Sequence, residues 1–382
     1  MKFSLEIFRR KSSQRYIPEI DALRFFAIIP VMLVHFSGAL LTYNADFDRQ
    51  IIDQENIFRH ALIHGNNGLY LFFAISGFIL TLPFIKKEVK DMHFKNYYLR
   101  RLVRIEPPYL IAISLFFIVH IVLAEKSLAF LFEHYIASFF YVHMMIYEAR
   151  PYILPVSTSL EIEIQFYLLM PLLLILLKKI DSKIWRGAIY SLLFACSFLV
   201  NLFPFHELND FTRYFVAGIV AADIYKHEVF NRNKLWDLVF LITLPMFFIV
   251  NESLVKSFLL FFVLTSSLQT VYLKRFLTGQ WITIIGGMCY SLYLLHYPLY
   301  HLFMRLFTNK LTLFESFEAN YLFQAAIFIP LSIAMISLYF ILVEKPFMEI
   351  SQRIGKLRKT KRADDLDKRL VDSLPLTKSE DK

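Results

Sequence analysis

DALRFFAIIPVMLVHF (residues 21–36) decides how this chain is read. It belongs to an apolar run, 22–44, long enough to cross a bilayer, yet it carries Arg24 and His35. Eleven residues is close to three helical turns. The two side chains therefore share one helix face, about 16 Å apart along the axis. A cation and an imidazole aligned inside a membrane helix are expensive to keep there and mark a functional site.

The rest of the composition agrees. The chain has 382 residues, 57% of them hydrophobic, with 41 Phe and a mean hydropathy of +0.50. Charged residues make up 19%, against about a quarter in a soluble protein, and they cluster between long apolar runs. This is the pattern of an all-α, polytopic membrane helix bundle. The first apolar run follows a basic N-terminus, and no small-residue cleavage site follows it, so no cleavable signal peptide is expected. Cys196 and Cys289 both lie in apolar runs and read as buried thiols rather than a disulfide or metal pair. The net charge of +9 belongs to basic residues flanking spans, so it implies no nucleic-acid partner.

About ten spans are expected, near 22–44, 66–85, 107–124, 158–177, 184–203, 211–226, 235–251, 254–273, 281–304 and 320–343. Segment 127–147 is apolar but holds Glu133, His134 and His143, and reads as an interfacial or re-entrant helix. Basic residues alternate with the spans. Lys2, Arg9, Arg10, Lys11 and Arg15 precede span 1. Lys86, Lys87, Lys90, Lys95, Arg100, Arg101 and Arg104 follow span 2. Lys178, Lys179, Lys183 and Arg186 follow span 4. The first alternate loop instead holds Asp46, Asp48, Asp53 and Glu55. The positive-inside rule then places both termini in the cytoplasm. Residues 1–20 are expected to be a cytoplasmic basic segment, 21–350 the membrane domain and 351–382 a charged, disordered cytoplasmic tail. Glu344-Lys345-Pro346 is expected to end span 10, and no internal repeat is present.

Five local patterns carry chemistry: RYIPEIDALRFFAIIPVMLVHF (15–36), GLYLFFAISGFILT (68–81), FKNYYLRRLVRIEPPYL (94–110), STSLEIEIQFYLLMPLL (157–173), and the pair YSLYLLHYPL (290–299) with VEKPF (343–347). In this order and spacing they resemble the acyltransferase-3 family, integral membrane O-acyltransferases of cell-surface glycans. The resemblance covers roughly residues 15–350.

His35 suits a general base, because its ordinary pKa lies near working pH and a hydroxyl must lose its proton to attack a thioester. The alternative is a packed histidine bonded to a backbone carbonyl. Arg24 pairs in sequence with Asp21 one turn earlier, which is expected to orient it. The resemblance implies a place for Arg24 in the active-site channel. Arg101 and Arg104 share a helix face, and guanidinium forks suit the phosphates of coenzyme A; the resemblance marks this pair as a functional motif. The family pattern Ser-Leu-x-x-Glu-x-Gln-Phe-Tyr puts Glu163, not Glu161, at the functional position. Thr158 and Ile164 depart from it, standing where a tryptophan and a second acid are common. Glu163 is expected to orient His35 or to hold acceptor hydroxyls. Ser159 neighbours Glu163. Ser76, with Gly77, and Tyr167 read as close-packing and wall residues, and His296 as structural or channel-lining.

These residues suggest a handoff across the membrane. Acetyl-CoA or another acyl-CoA is the expected cytoplasmic donor, with no metal. A glycan or lipid-linked glycan is the expected acceptor: lipopolysaccharide O-antigen, exopolysaccharide or peptidoglycan sugars, as the resemblance implies. The bacterial cytoplasmic membrane is the expected location. Some family members carry a fused extracytoplasmic hydrolase-like domain. None is evident here, so the chain is expected to act alone or to pass the acyl group to a separate extracytoplasmic transferase. Two other classes compete. A secondary transporter of a sugar or lipid-linked intermediate predicts inverted repeats and paired broken helices. A polyprenyl-dependent glycosyltransferase predicts an acidic pair in the first outer loop, where Asp46, Asp48 and Asp53 lie.

Overall fold

A computed structural model describes residues 16–85, 94–123, 126–178, 183–199 and 206–354. The expectations placed on the basic N-terminus, on Lys86, Lys87, Lys90 and Lys179, and on the tail beyond 354 lie outside these residues. Every regular element described is helical: α1 (Pro18–Tyr43), α2 (Arg49–Glu55), α3 (Ile57–Ile63), α4 (Gly68–Thr81), α5 (Phe94–Val122), α6 (Leu128–Phe139), α7 (His143–Tyr147), α8 (Thr158–Lys178), α9 (Lys183–Leu199), α10 (His206–Lys226), α11 (Leu235–Ile249), α12 (Ser253–Gln269), α13 (Leu273–Leu277), α14 (Gln280–Gly287), α15 (Cys289–Leu311) and α16 (Phe317–Tyr339).

Each of the ten expected segments falls on a helix, but fewer helices are full-length spans. Five stretches are long and apolar enough to cross a membrane: Pro18–Tyr43, Ile57–Thr81, Phe94–Val122, Pro155–Leu176 and Phe317–Ile354. A sixth is added if α14 and α15, bent by 70° at their junction, count as one broken span. α9, α11 and α12 have 17, 15 and 17 residues, short of the roughly 20 that a span needs. α10 is longer, but Asp210, Arg213, Asp223 and Lys226 interrupt it.

Two boundaries depart from expectation. α5 begins at Phe94, with Pro107 and Pro108 inside it. Arg100, Arg101 and Arg104 therefore project from a continuous helix rather than a preceding loop. Two prolines remove backbone donors, and tyrosines brace this turn: Tyr290 donates to the Ile105 carbonyl at 2.8 Å and Tyr339 to that of Pro108. Glu344-Lys345-Pro346 does not end the last helix. The chain passes through a π-turn, Phe340–Glu344, and stays helical to Ile354. The Glu344 carboxylate is thereby turned inward, 1% exposed, and accepts from the Ser291 N–H at 3.0 Å and its hydroxyl at 2.5 Å. A carboxylate there satisfies an otherwise unbonded donor in the first turn of α15. Segment 127–147 forms α6 and α7, broken at Tyr141 (φ 57°). α6 has 12 residues, too few for an eleventh crossing, and leans on α5 through Tyr109 to the Ser138 carbonyl at 2.9 Å.

Two acids of the stretch that follows α1, Asp48 and Asp53, are engaged in structure. Asp48 caps α2, accepting from the backbone of Gln50 at 2.7 Å. Asp53 accepts from Arg59 Nε at 2.8 Å. Arg59 is buried in α3, where its guanidinium also donates to Ser37. Partial burial alone would raise the Asp53 pKa, but the Arg59 hydrogen bond and the Arg59 and Arg49 charges outweigh it and hold the carboxyl below its ordinary value.

Close packing depends on small residues. α4 and α10 cross so tightly that a Cβ on Gly77 would overlap the Phe215 carbonyl, and one on Gly218 the Ala74 carbonyl. Beside α1, Gly286 of α14 sits equally close to the Asp21 carbonyl.

Gly218→Ala is expected to destabilise the protein by about 1–3 kcal/mol through overpacking. Gly187→Ala, at a helical site with nothing within 4 Å of the added carbon, is expected to be neutral or stabilising by up to about 1 kcal/mol. Thermal melting in detergent compares them. A depressed carboxylate pKa supplies stability above its unfolded value of about 4, lost as pH falls through the folded value. The melting-temperature gap between wild type and Asp53→Asn is therefore expected to be full near pH 7 and to close in acid below about pH 4.

Candidate active site

A cavity of ≈ 100 Å³ opens among α1, α4, α5, α8 and α15. Three arginines reach its wall: Arg24, Arg101 and Arg104. Arg24 rises from the first turns of α1, where Pro18 and the acidic Glu19 and Asp21 favour a helix start. Asp21 holds its guanidinium at 2.5 Å, as the one-turn spacing suggests. The Arg101 guanidinium lies 5.0 Å over the Tyr167 ring and 6.0 Å over that of Tyr97, cation–π placements that stabilise a cation in an apolar bundle. Arg104, three residues on, faces the same way because α5 is unbroken.

Glu163 lies on the same wall. Its carboxylate accepts from Ser76 of α4 and, one turn along α8, from the Tyr167 hydroxyl at 2.9 Å. Ser159, one turn the other way, shares a 2.5 Å hydrogen bond with the Tyr293 hydroxyl of α15. Seven residues singled out in the sequence thus meet in one cavity: Arg24, Ser76, Arg101, Arg104, Ser159, Glu163 and Tyr167. Asp21 stands behind Arg24. Glu161 points elsewhere: it is fully buried and accepts from the Met144 N–H at 3.0 Å.

His35 does not line this cavity. Further along α1, its Nδ1 lies 2.8 Å from Nε2 of His296, with the rings stacked at 5.1 Å and 10°. Glu163 does not orient His35; its hydrogen bonds go to Ser76 and Tyr167, and His296 takes that place. Tyr293 links the two halves. It lines the cavity, and its ring is 6.4 Å from that of His296. Tyr293, Tyr290 and Cys289 are wall residues that sequence reasoning passed over. A signal for Tyr293 was present, because it precedes His296 by three residues and so shares its helix face. Nothing in the sequence brings Tyr290 or Cys289 to Arg24.

The arrangement suits an anion. Three guanidiniums around one carboxylate leave a net positive wall, matched to phosphate or carboxylate groups. The aromatic and apolar remainder, Phe72, Ile75, Ile79 and Tyr290 among it, suits an uncharged arm.

The chain is 23% identical over 333 residues to "Putative O-acetyltransferase SACOL0978" of Staphylococcus aureus (strain COL), covering 76% of this chain and 52% of that protein. It is 25% identical over 328 residues to "O-acetyltransferase OatA" of Staphylococcus aureus (strain NCTC 8325 / PS 47), covering 75% and 51%. The chain thus spans about half the length of the curated relatives it matches. No solved structure matches it. The pattern of the acyltransferase-3 family, described as an acyltransferase domain, matches residues 17–343. It is on this match, over most of the helical region that builds the arginine cavity and the histidine pair, that the chain belongs to the acyltransferase-3 family.

Proposed function

We propose that this membrane acyltransferase moves an acetyl or other acyl group from cytoplasmic acyl-CoA to a hydroxyl of a cell-surface or exported carbohydrate. The observation that carries the reading is the cavity with three guanidiniums on its wall. In this reading Arg101 and Arg104 clamp the phosphates of coenzyme A. Arg24, held by Asp21, adds a third positive charge, and the apolar wall receives the pantetheine arm. His35 takes the proton from the acceptor hydroxyl. The freed oxygen forms a bond to the acyl carbon, the carbon–sulfur bond breaks, and the thiolate leaves with a proton returned from the imidazolium. Glu163 holds Ser76 and Tyr167 in place and shapes the wall.

The bundle is read with ten crossings, shorter helices included, in the bacterial cytoplasmic membrane, with both termini in the cytoplasm. The arginine end of α1 then faces the donor and the His35 end the acceptor. Tyr293 and Ser159 stand between, so the acyl group passes them before His35 acts. Either this chain completes the transfer or a separate extracytoplasmic transferase receives the acyl group. O-acetyltransferase relatives support the acetyl donor. Asp48 and Asp53 are engaged in a cap and an ion pair, which occupies two of the three acids on which the glycosyltransferase reading would draw.

The test is free-thiol release from acetyl-CoA by the purified protein in liposomes with glycan acceptor. His35→Ala is expected to lower kcat by at least about 100-fold. Arg104→Ala is expected to raise the acetyl-CoA KM by about 10- to 100-fold, as loss of a charged hydrogen bond implies. Absence of both thiol release and CoA binding in wild type would overturn the reading in favour of a transporter.

A further inference from the structure

His296 is buried to 0% exposure on α15, and both of its ring nitrogens have partners. Nδ1 lies 2.7 Å from the carbonyl oxygen of Leu292, one turn earlier. A carbonyl oxygen only accepts, so this nitrogen carries a proton. The other nitrogen, Nε2, faces His35 Nδ1 at 2.8 Å. Were His296 an imidazolium, a fully buried charge would stand without a counterion: among the described residues no carboxylate makes an ion pair with either ring. His296 is therefore the neutral form, and its Nε2 is an acceptor. The proton between the rings must then sit on His35 Nδ1, which leaves His35 Nε2 bare.

We infer that His296 is a positioning residue that holds His35 in the tautomer with Nδ1 protonated and Nε2 free to take a proton. The inference rests on His35 acting as the base. An unrestrained imidazole in water favours a proton on Nε2, the form with no lone pair at the nitrogen that must act here. The chain Leu292 carbonyl, His296, His35 removes that freedom. It also prepares the charged state: when Nε2 takes the acceptor's proton, the Nδ1–H of the resulting imidazolium already donates to His296. Ring orientation is set as well. Tyr297 stands edge-on to His35 at 5.3 Å, and Tyr300 edge-on to His296 at 5.9 Å. His296 here does what a buried carboxylate does for the histidine of a hydrolase triad, without placing a second charge in the bundle.

Two measurements on the full-length protein test this. The first is the ¹⁵N spectrum of the histidine-labelled protein in detergent at neutral pH, with His35 assigned by its loss in His35→Asn. The expected result is a protonated Nδ1 and a bare Nε2 on His35. A proton on Nε2 in wild type would overturn the inference. The second compares His296→Gln with His296→Leu in thiol release. Glutamine keeps an oxygen that accepts from His35 Nδ1, and is expected to retain kcat within about tenfold. Leucine is expected to lose about 100-fold or more in kcat at unchanged acetyl-CoA KM, on the scale set by loss of a tautomer-holding partner. A purely structural role predicts the opposite order, because leucine suits an apolar helix better than glutamine, with activity following melting temperature; that order also overturns the inference. If His35→Ala leaves thiol release intact, the base assignment falls, while the nitrogen signals still decide whether His296 sets the tautomer.

Discussion

The guanidinium of Arg24, buried in α1 and tied to Asp21 one turn earlier, is the constraint around which the rest is arranged. A cation taken out of water inside an apolar bundle must be paired or returned to solvent. Here it is paired on its own helix and still reaches the cavity. Arg101 meets the same demand with aromatic faces rather than a carboxylate. Glu163 brings the opposite charge to the same wall and is itself hydrogen-bonded by Ser76 and Tyr167. The cavity is polar because each of these groups has a partner, and cationic because the arginines outnumber the acid.

Keeping five helices around one small cavity takes close backbone approach and a brace at the proline turn. Gly77 and Gly218 let α4 and α10 meet backbone to backbone, and Gly286 lets α14 touch α1 beside Asp21. Glu344 reaches from the π-turn within the last helical stretch to the first turn of α15, just where the 70° break places Cys289, Tyr290 and Tyr293 against the arginines. Tyr290 and Tyr339 hold the carbonyls around Pro107 and Pro108. The same helix then carries on to Ser351, whose hydroxyl donates to the Arg100 carbonyl at 2.7 Å. The arginines of the cavity are thus fixed by the C-terminal helices as much as by their own.

The site has two halves joined by one aromatic side chain. Tyr293 lines the arginine cavity and lies 6.4 Å, ring to ring, from His296 of the histidine pair, and its hydroxyl is held by Ser159. The separation follows from the distance between Arg24 and His35 along α1, about three helical turns.

Much of this was legible in the sequence. The helical class, the positions of the ten apolar segments and seven of the residues around the arginine cavity follow from hydropathy, from charges set inside apolar runs, and from the motifs that carry the family resemblance. Those signals are local, carried by a few residues on one helix. What the sequence alone left undecided depends on contacts between distant parts of the chain. The continuation of the last helix past Pro346 rests on Glu344 finding Ser291. The start of α5 at Phe94, ahead of its prolines, goes with tyrosines from α15 and α16 that bond the surrounding carbonyls. Glu163 was expected to orient His35 or to hold acceptor hydroxyls, and its hydrogen bonds are decided by which hydroxyls the neighbouring turns and helices present. The partner of His35, 261 residues away, has no signature in local spacing. The sequence by itself determined which charged and polar groups enter the bundle; only the tertiary structure decided which of them meet, because a buried polar group takes whichever partner the packing of other helices brings within hydrogen-bond reach.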